Sequence, residues 1–165
     1  MFYGDVLEAL QNADVRSVIV GGVAVILHGV PRTTSDLDLV PDLDDDNMMR
    51  LVETMTGLGF RPRAPVLAAD LAVSERRREW LEDKGMLAFS FHRPGRPLDE
   101  VDVLFASPLD FATLNARADV FKADGLVLHV ARPPDLILMK QGTGRAQDEA
   151  DIDALTRLIE AGRHD

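Results

Sequence analysis

Residues 18–40 read Val-Ile-Val-Gly-Gly-Val-Ala-Val-Ile-Leu-His-Gly-Val-Pro-Arg-Thr-Thr-Ser-Asp-Leu-Asp-Leu-Val, and the fold follows from how this stretch divides. Ser17 to Val20 are β-branched and apolar, which predicts a buried strand. The pair Gly21-Gly22 turns the chain into a helix over about 23–28, and Gly29 and Pro31 end it. A second strand is predicted over 36–41. Residues two apart on a strand project from one face, about 7 Å apart along the chain, so Asp36 and Asp38 point the same way.

Upstream, residues 4–13 carry Val6, Leu7 and Leu10 on one side of a short amphipathic helix. Downstream, Asp42-Leu43-Asp44 opens a helix that runs through Met48, Leu51, Val52 and Met55 to Gly57. Four prolines punctuate residues 61–97. A polar helix is expected over Ser74 to Asp83, with Arg76-Arg77-Arg78 as a solvated face, and a strand over Met86 to His92. Further strands are expected at 99–105 and 126–131, and helices at Pro108 to Leu114 with Ser107 as cap, from Pro133 to Gln141, and over 146–162. This alternation argues for one α/β or α+β sheet domain spanning residues 1–165.

Composition limits the function. A chain of 165 residues buries roughly 70% of its unfolded surface, enough for a core. There is no cysteine, which excludes disulfides, thiol catalysis and cysteine-ligated zinc and suits a reducing cytoplasm. The first residues lack the pattern of a signal peptide, and no apolar run approaches the ~20 residues of a membrane span. The net charge of −10 argues against nonspecific duplex binding but suits divalent cations.

The candidate chemistry is that of metal ions and phosphate. Hard cations such as Mg²⁺ prefer carboxylate oxygen, and two ions ~4 Å apart can clamp an in-line phosphoryl or nucleotidyl transfer. Asp36 and Asp38 are the first ligands. Asp102 is the candidate third, because it lies mid-strand between Val101 and Val103, where a charge needs a partner. Asp99 and Glu100 lie nearer the expected strand start and are expected to be solvated. Strand, Gly21-Gly22, helix is a geometry that presents backbone N–H groups to an anion, and Arg32, Thr33 and Thr34 can assist. Asp148 heads the inward stripe of the last helix, with Asp151 at its edge. Lys140 and Arg145 can neutralise Asp148 as a salt bridge or reach a phosphate. His28 is read as a helix-end histidine with a satisfied ring.

In this order the motifs resemble the DNA polymerase β-like nucleotidyltransferase superfamily. Gly21-Gly22 and Arg32-x-Thr34-x-Asp36-x-Asp38 resemble its first motif, and Glu100-Val101-Asp102-Val103 its third-carboxylate strand. The run from Pro134 to Lys140, then Arg145, Asp148, Asp151 and Ile152, is most similar to small bacterial enzymes of the abortive-infection and type IV toxin–antitoxin group. The resemblance implies an α+β nucleotidyltransferase fold, a mixed β-sheet flanked by helices. It implies two Mg²⁺ ions on Asp36, Asp38 and Asp102, and a nucleoside triphosphate such as ATP. Its phosphates would lie on Gly21, Gly22, Arg32, Thr34, Lys140 and Arg145, with Asp148 orienting the cations. The nucleoside monophosphate would pass to a hydroxyl on RNA, protein or a small molecule. A non-catalytic member of a toxin–antitoxin pair, with a cognate partner, is the alternative on the same fold.

Overall fold

The computed structural model describes residues 3–162. Its centre is a seven-stranded mixed sheet. The strands are β1 (Ser17–Val20), β2 (Asp36–Pro41), β3 (Arg61–Pro62), β4 (Ala88–Arg93), β5 (Arg96–Leu104), β6 (Asp119–Ala123) and β7 (Leu126–Val130). Their order across the sheet is β3-β4-β5-β2-β1-β7-β6. β2 runs parallel to β5 and antiparallel to β1, and β1 runs parallel to β7. The helices are α1 (Gly4–Asn12), α2 (Gly21–Leu27), α3 (Asp45–Gly57), α4 (Ser74–Lys84), α5 (Phe111–Arg117), α6 (Pro133–Lys140) and α7 (Ala146–Glu160). No helix among the described residues is long and apolar enough to cross a membrane.

Period-two alternation divides the sheet into an apolar and a polar face. Leu37 pairs with Val101 and Leu39 with Val103, while Phe89 and Phe91 of β4 lie opposite the same valines. All six are buried. Trp80 of α4 packs on Phe89 with ring centroids 5.6 Å apart, so the polar-looking helix is anchored through one aromatic residue. The residues between them define the other face: Asp36 pairs with Glu100, and Asp38 with Asp102. Ser90 lies opposite Asp102, and His92 opposite Glu100.

Two buried polar side chains fix the strand ends. The Tyr3 hydroxyl lies 2.5, 3.1 and 2.8 Å from the carbonyl oxygens of Ser35, Leu98 and Glu100, and it accepts from the Glu100 N–H at 2.9 Å. Burial pushes this phenol up to about 12. Asn47, fully buried on α3, accepts from the Arg16 N–H and donates to the carbonyls of Arg16 and Asp42. It thus ties α3 to the start of β1 and the end of β2.

The structure departs from the sequence expectations in several places. α2 begins at Gly21 itself rather than beyond the pair. β5 starts at Arg96, so Glu100 is mid-strand and not at a solvated beginning. α5 starts at Phe111, where the Asp110 carboxylate accepts from Thr113 N–H; Ser107 is not the cap. Arg77 is not solvated: it is buried and donates to the Leu71 carbonyl at 2.7 Å. β6 was not anticipated, although Asp124 and Gly125, both at positive φ, make the tight turn into β7.

Replacing Asn47 by Leu is expected to lower stability by about 1–3 kcal/mol, because the Arg16 N–H and the Asp42 carbonyl lose this partner and the Arg16 carbonyl keeps only the Asp42 N–H. Urea unfolding followed by circular dichroism measures it.

Candidate active site

Gly21 and Asp38 occupy one place that only glycine permits. Gly21 has φ +65, and a Cβ built on it would lie 1.9 Å from Asp38 Oδ2. Gly22 is pressed in the same way: a Cβ there would meet Thr34 Oγ1 at 2.8 Å and Arg32 Cζ at 3.1 Å. The pair therefore lets the carboxylate of β2 and the Arg32–Thr34 segment close on the backbone at the start of α2. The first N–H groups of a helix have no partner within it, and Gly21 and Gly22, which begin α2, line the same cleft as the carboxylates.

One oxygen each from Asp36, Glu100 and Asp102 lies within 4.8 Å of the others. Asp38 lies opposite Asp102 on the paired strands. Ser90 Oγ donates to Asp102 Oδ1 at 2.6 Å, and Arg63 donates to Glu100 Oε2 at 2.5 Å. Burial pushes Asp38 up to about 7, with the charges of Asp102 and Asp36 adding to it and Lys140 opposing. Burial likewise raises Asp102, against the Ser90 hydrogen bond. Carboxyl groups crowded this way retain protons unless a cation replaces them, and an all-oxygen set of this kind suits Mg²⁺. Glu100 was not expected in this cluster. Its position two residues before Asp102 is the same spacing as Asp36 and Asp38, and that spacing was the available signal.

The opposite wall is an ionic network from α6, α7 and the segment before β2. Lys140 Nζ lies 3.1 Å from Asp148 Oδ1 and 2.9 Å from Asp151 Oδ2. Arg32 Nη1 meets the same Asp151 oxygen at 2.6 Å. Asp148 also accepts from Arg145 Nε at 2.8 Å and from Thr143 Oγ1 at 2.7 Å. Burial works to raise the Asp148 carboxyl, but Thr143, Lys140 and Arg145 outweigh it and hold it below the usual carboxylate range. Asp151, placed at the edge of the stripe by sequence, is the more deeply buried of the two aspartates, at 1% exposure against 6%.

These walls enclose a cleft of about 280 Å³. Asp36, Asp38, Asp102, Gly21, Gly22, Arg32, Thr34, Lys140, Arg145 and Asp148 all line it. His28 lies outside, buried, with Nε2 2.8 Å from the Ala131 carbonyl oxygen. The Arg76–Arg78 triplet also lies outside the cleft lining.

Residues 5–160 match the family model described as nucleotidyltransferase of unknown function (DUF6036). The chain belongs to this family. The fold of this nucleotidyltransferase is similar to that of the lincosamide antibiotic adenylyltransferase LnuA in its lincomycin-bound form, at TM-score 0.62, 13% identity and 92% coverage of each chain. It is also similar to the antibiotic-resistance factor ANT(2'')-Ia, at TM-score 0.60 and 14% identity, over 98% of this chain and 84% of that one. An antigenic nucleotidyltransferase-like protein from Paracoccidioides brasiliensis superposes at TM-score 0.54 and 20% identity, over 92% of this chain and 72% of that one. No curated protein matches the sequence. The narrower likeness to toxin–antitoxin enzymes has no counterpart among these three structures.

The raised Asp38 carboxyl sets a sign for stability. Folded Asp38 holds a proton up to about pH 7, whereas the unfolded group releases it near 3.8. Its contribution is therefore fully present below 3.8 and is lost as pH rises towards 7. In chelator, Asp38→Asn is expected to melt a few degrees higher than the parent at pH 8 and at nearly the same temperature at pH 4, read by calorimetry. Gly21→Ala is expected to lose stability by about 1–3 kcal/mol, read by urea unfolding, because Asp38 must move aside.

Proposed function

We propose that this nucleotidyltransferase moves a nucleoside monophosphate from a nucleoside triphosphate to a hydroxyl acceptor in a Mg²⁺-dependent reaction. The observation that carries the reading is the joining in one cleft of the carboxylates Asp36, Asp38 and Asp102 with the glycine pair and the cations Lys140, Arg32 and Arg145. Asp36, Asp38 and Asp102 would hold two Mg²⁺ ions, and Glu100 offers a further oxygen beside them. Bound Mg²⁺ would neutralise the phosphates and the charge that develops on the attacking and leaving oxygens.

The chain's own residues bind and orient. Gly21 and Gly22 present N–H groups to the triphosphate. An ammonium group has three donors; Lys140 directs two towards Asp148 and Asp151, which leaves one for a phosphate oxygen. Arg32 and Arg145 extend the same positive wall, and Asp148 and Asp151 keep these cations in place. Thr34 packs on Gly22 and fixes the entrance. Asp102 takes the proton of the acceptor hydroxyl as its oxygen bonds to the α-phosphorus. The bond from that phosphorus to the bridging oxygen breaks, and pyrophosphate leaves. Most of the rate gain in such a site comes from positioning and charge stabilisation.

The net charge of −10 disfavours RNA. Two proteins of similar fold are named for antibiotics, so a small hydroxylated molecule is the first acceptor to test. The lack of cysteine and the need for a nucleoside triphosphate favour the cytoplasm.

With labelled nucleoside triphosphates, Mg²⁺ and panels of small hydroxylated compounds, RNA and protein, the parent is expected to transfer label and release pyrophosphate. Asp36→Asn/Asp38→Asn is expected to lose at least about a hundredfold in rate while remaining folded. Absence of any Mg²⁺-dependent nucleotide binding or transfer by the parent, across all four nucleotides, would overturn the enzymatic reading and favour a binding partner on the same fold.

A further inference from the structure

A second and larger cavity lies away from the carboxylate cleft. It measures about 810 Å³ and is lined by α1, the turn into β1, β1 itself, α3, α5 and β7. Leu7, Leu10, Val15, Ile19 and Phe111 give it apolar walls. Its volume falls within the range of small-molecule sites, about 300–1,000 Å³. No residue lines both this cavity and the carboxylate cleft.

One charged group in it is unsatisfied. Arg50 of α3 lines the cavity, and its Nε is buried without a hydrogen-bond partner among the described residues. Its guanidinium forms no ion pair among them either. The other arginine of the lining, Arg16, is already neutralised by Asp42, at 3.0 Å from Nε and 2.8 Å from Nη2. Gln11 is also occupied, holding the Gly125 carbonyl and the Val127 N–H. Asp14, on the exposed rim, makes no ion pair with Arg50. Arg50 is half-buried, and an Nε–H held away from water with no acceptor is costly. An anion arriving in the cavity would remove that cost.

We infer that this cavity is a binding site for a monoanionic amphiphile, with a single carboxylate on Arg50 and an aliphatic body over Leu7, Leu10, Ile19 and Phe111. One uncompensated cation matches one negative charge, and a nucleotide or polyphosphate would require more. The walls match an aliphatic chain. Ile19 lines this cavity, while Val20 and Gly21, the next residues of the chain, line the carboxylate cleft. The bound amphiphile therefore lies against the strand that leads into the glycine pair. The site does not depend on the proposed transfer reaction.

The test titrates the full chain with decanoate, below its micellar concentration, by calorimetry and by amide chemical shifts. Decanoate is expected to bind at one site, with shifts centred on α1, α5 and Arg50. Decanol, which has no charge, is expected to bind at least about tenfold more weakly. Arg50→Gln is expected to weaken decanoate at least about tenfold, and Arg50→Lys to retain it within about threefold. Asp36→Asn/Asp38→Asn is expected to bind like the parent. The inference is overturned by no saturable binding, by equal affinity for decanol, by shifts centred on Asp36 to Asp102, or by self-association of the chain in place of ligand binding. Loss of binding in Arg50→Lys as great as in Arg50→Gln also counts against it, since the lysine keeps the charge.

Discussion

Two carboxylates from β2 and two from β5 are brought side by side by the pairing of parallel strands. Like charges directly opposite on paired strands repel. The chain answers this in three ways. Burial and the neighbouring carboxylates raise Asp38 and Asp102 and so ease the repulsion between them. Ser90 donates to Asp102. Arg63, carried just beyond β3, neutralises Glu100. The apolar face beneath holds the register, because a slip by one residue would send Leu37, Leu39, Val101 and Val103 into water. The hydrophobic core thus sets the geometry of the charged site.

The second wall is stabilised differently. Lys140, Arg32 and Arg145 meet Asp148 and Asp151 across three segments of the chain. Asp151 holds Arg32 and Lys140 through a single oxygen, with a side chain only 2% exposed. Removing one partner of a buried pair leaves an uncompensated charge, which typically costs about 3–5 kcal/mol. Arg145, with a side chain 76% exposed, carries little of that energy and is free to turn towards a ligand. Rigid and mobile cations are therefore combined at one mouth.

The centre of the site was legible because it is local. Strand, glycine pair, helix and two aspartates in phase lie within one stretch of chain, and Asp102 was marked by its apolar neighbours. Glu100 was missed because the start of β5 was set three residues too late, which made a mid-strand residue look terminal. The burial of Arg77 could not be read from a run of three arginines, since it depends on the Leu71 carbonyl arriving from the preceding turn. β6 is a short edge strand of alternating exposure, and its best signal was the Asp124-Gly125 turn rather than its own residues. The acceptor was not legible: it is chosen by surfaces assembled from distant segments, and no local pattern encodes them.

Gly21 and Asp38 are locked together by a clash that any side chain would create. This makes the glycine a marker for family history. In a related chain, a larger residue at this position would signal that the carboxylate opposite had been displaced or replaced. The pair should therefore be inherited as a unit and lost as one. A single backbone position would then separate descendants that keep this carboxylate from those that keep only the fold.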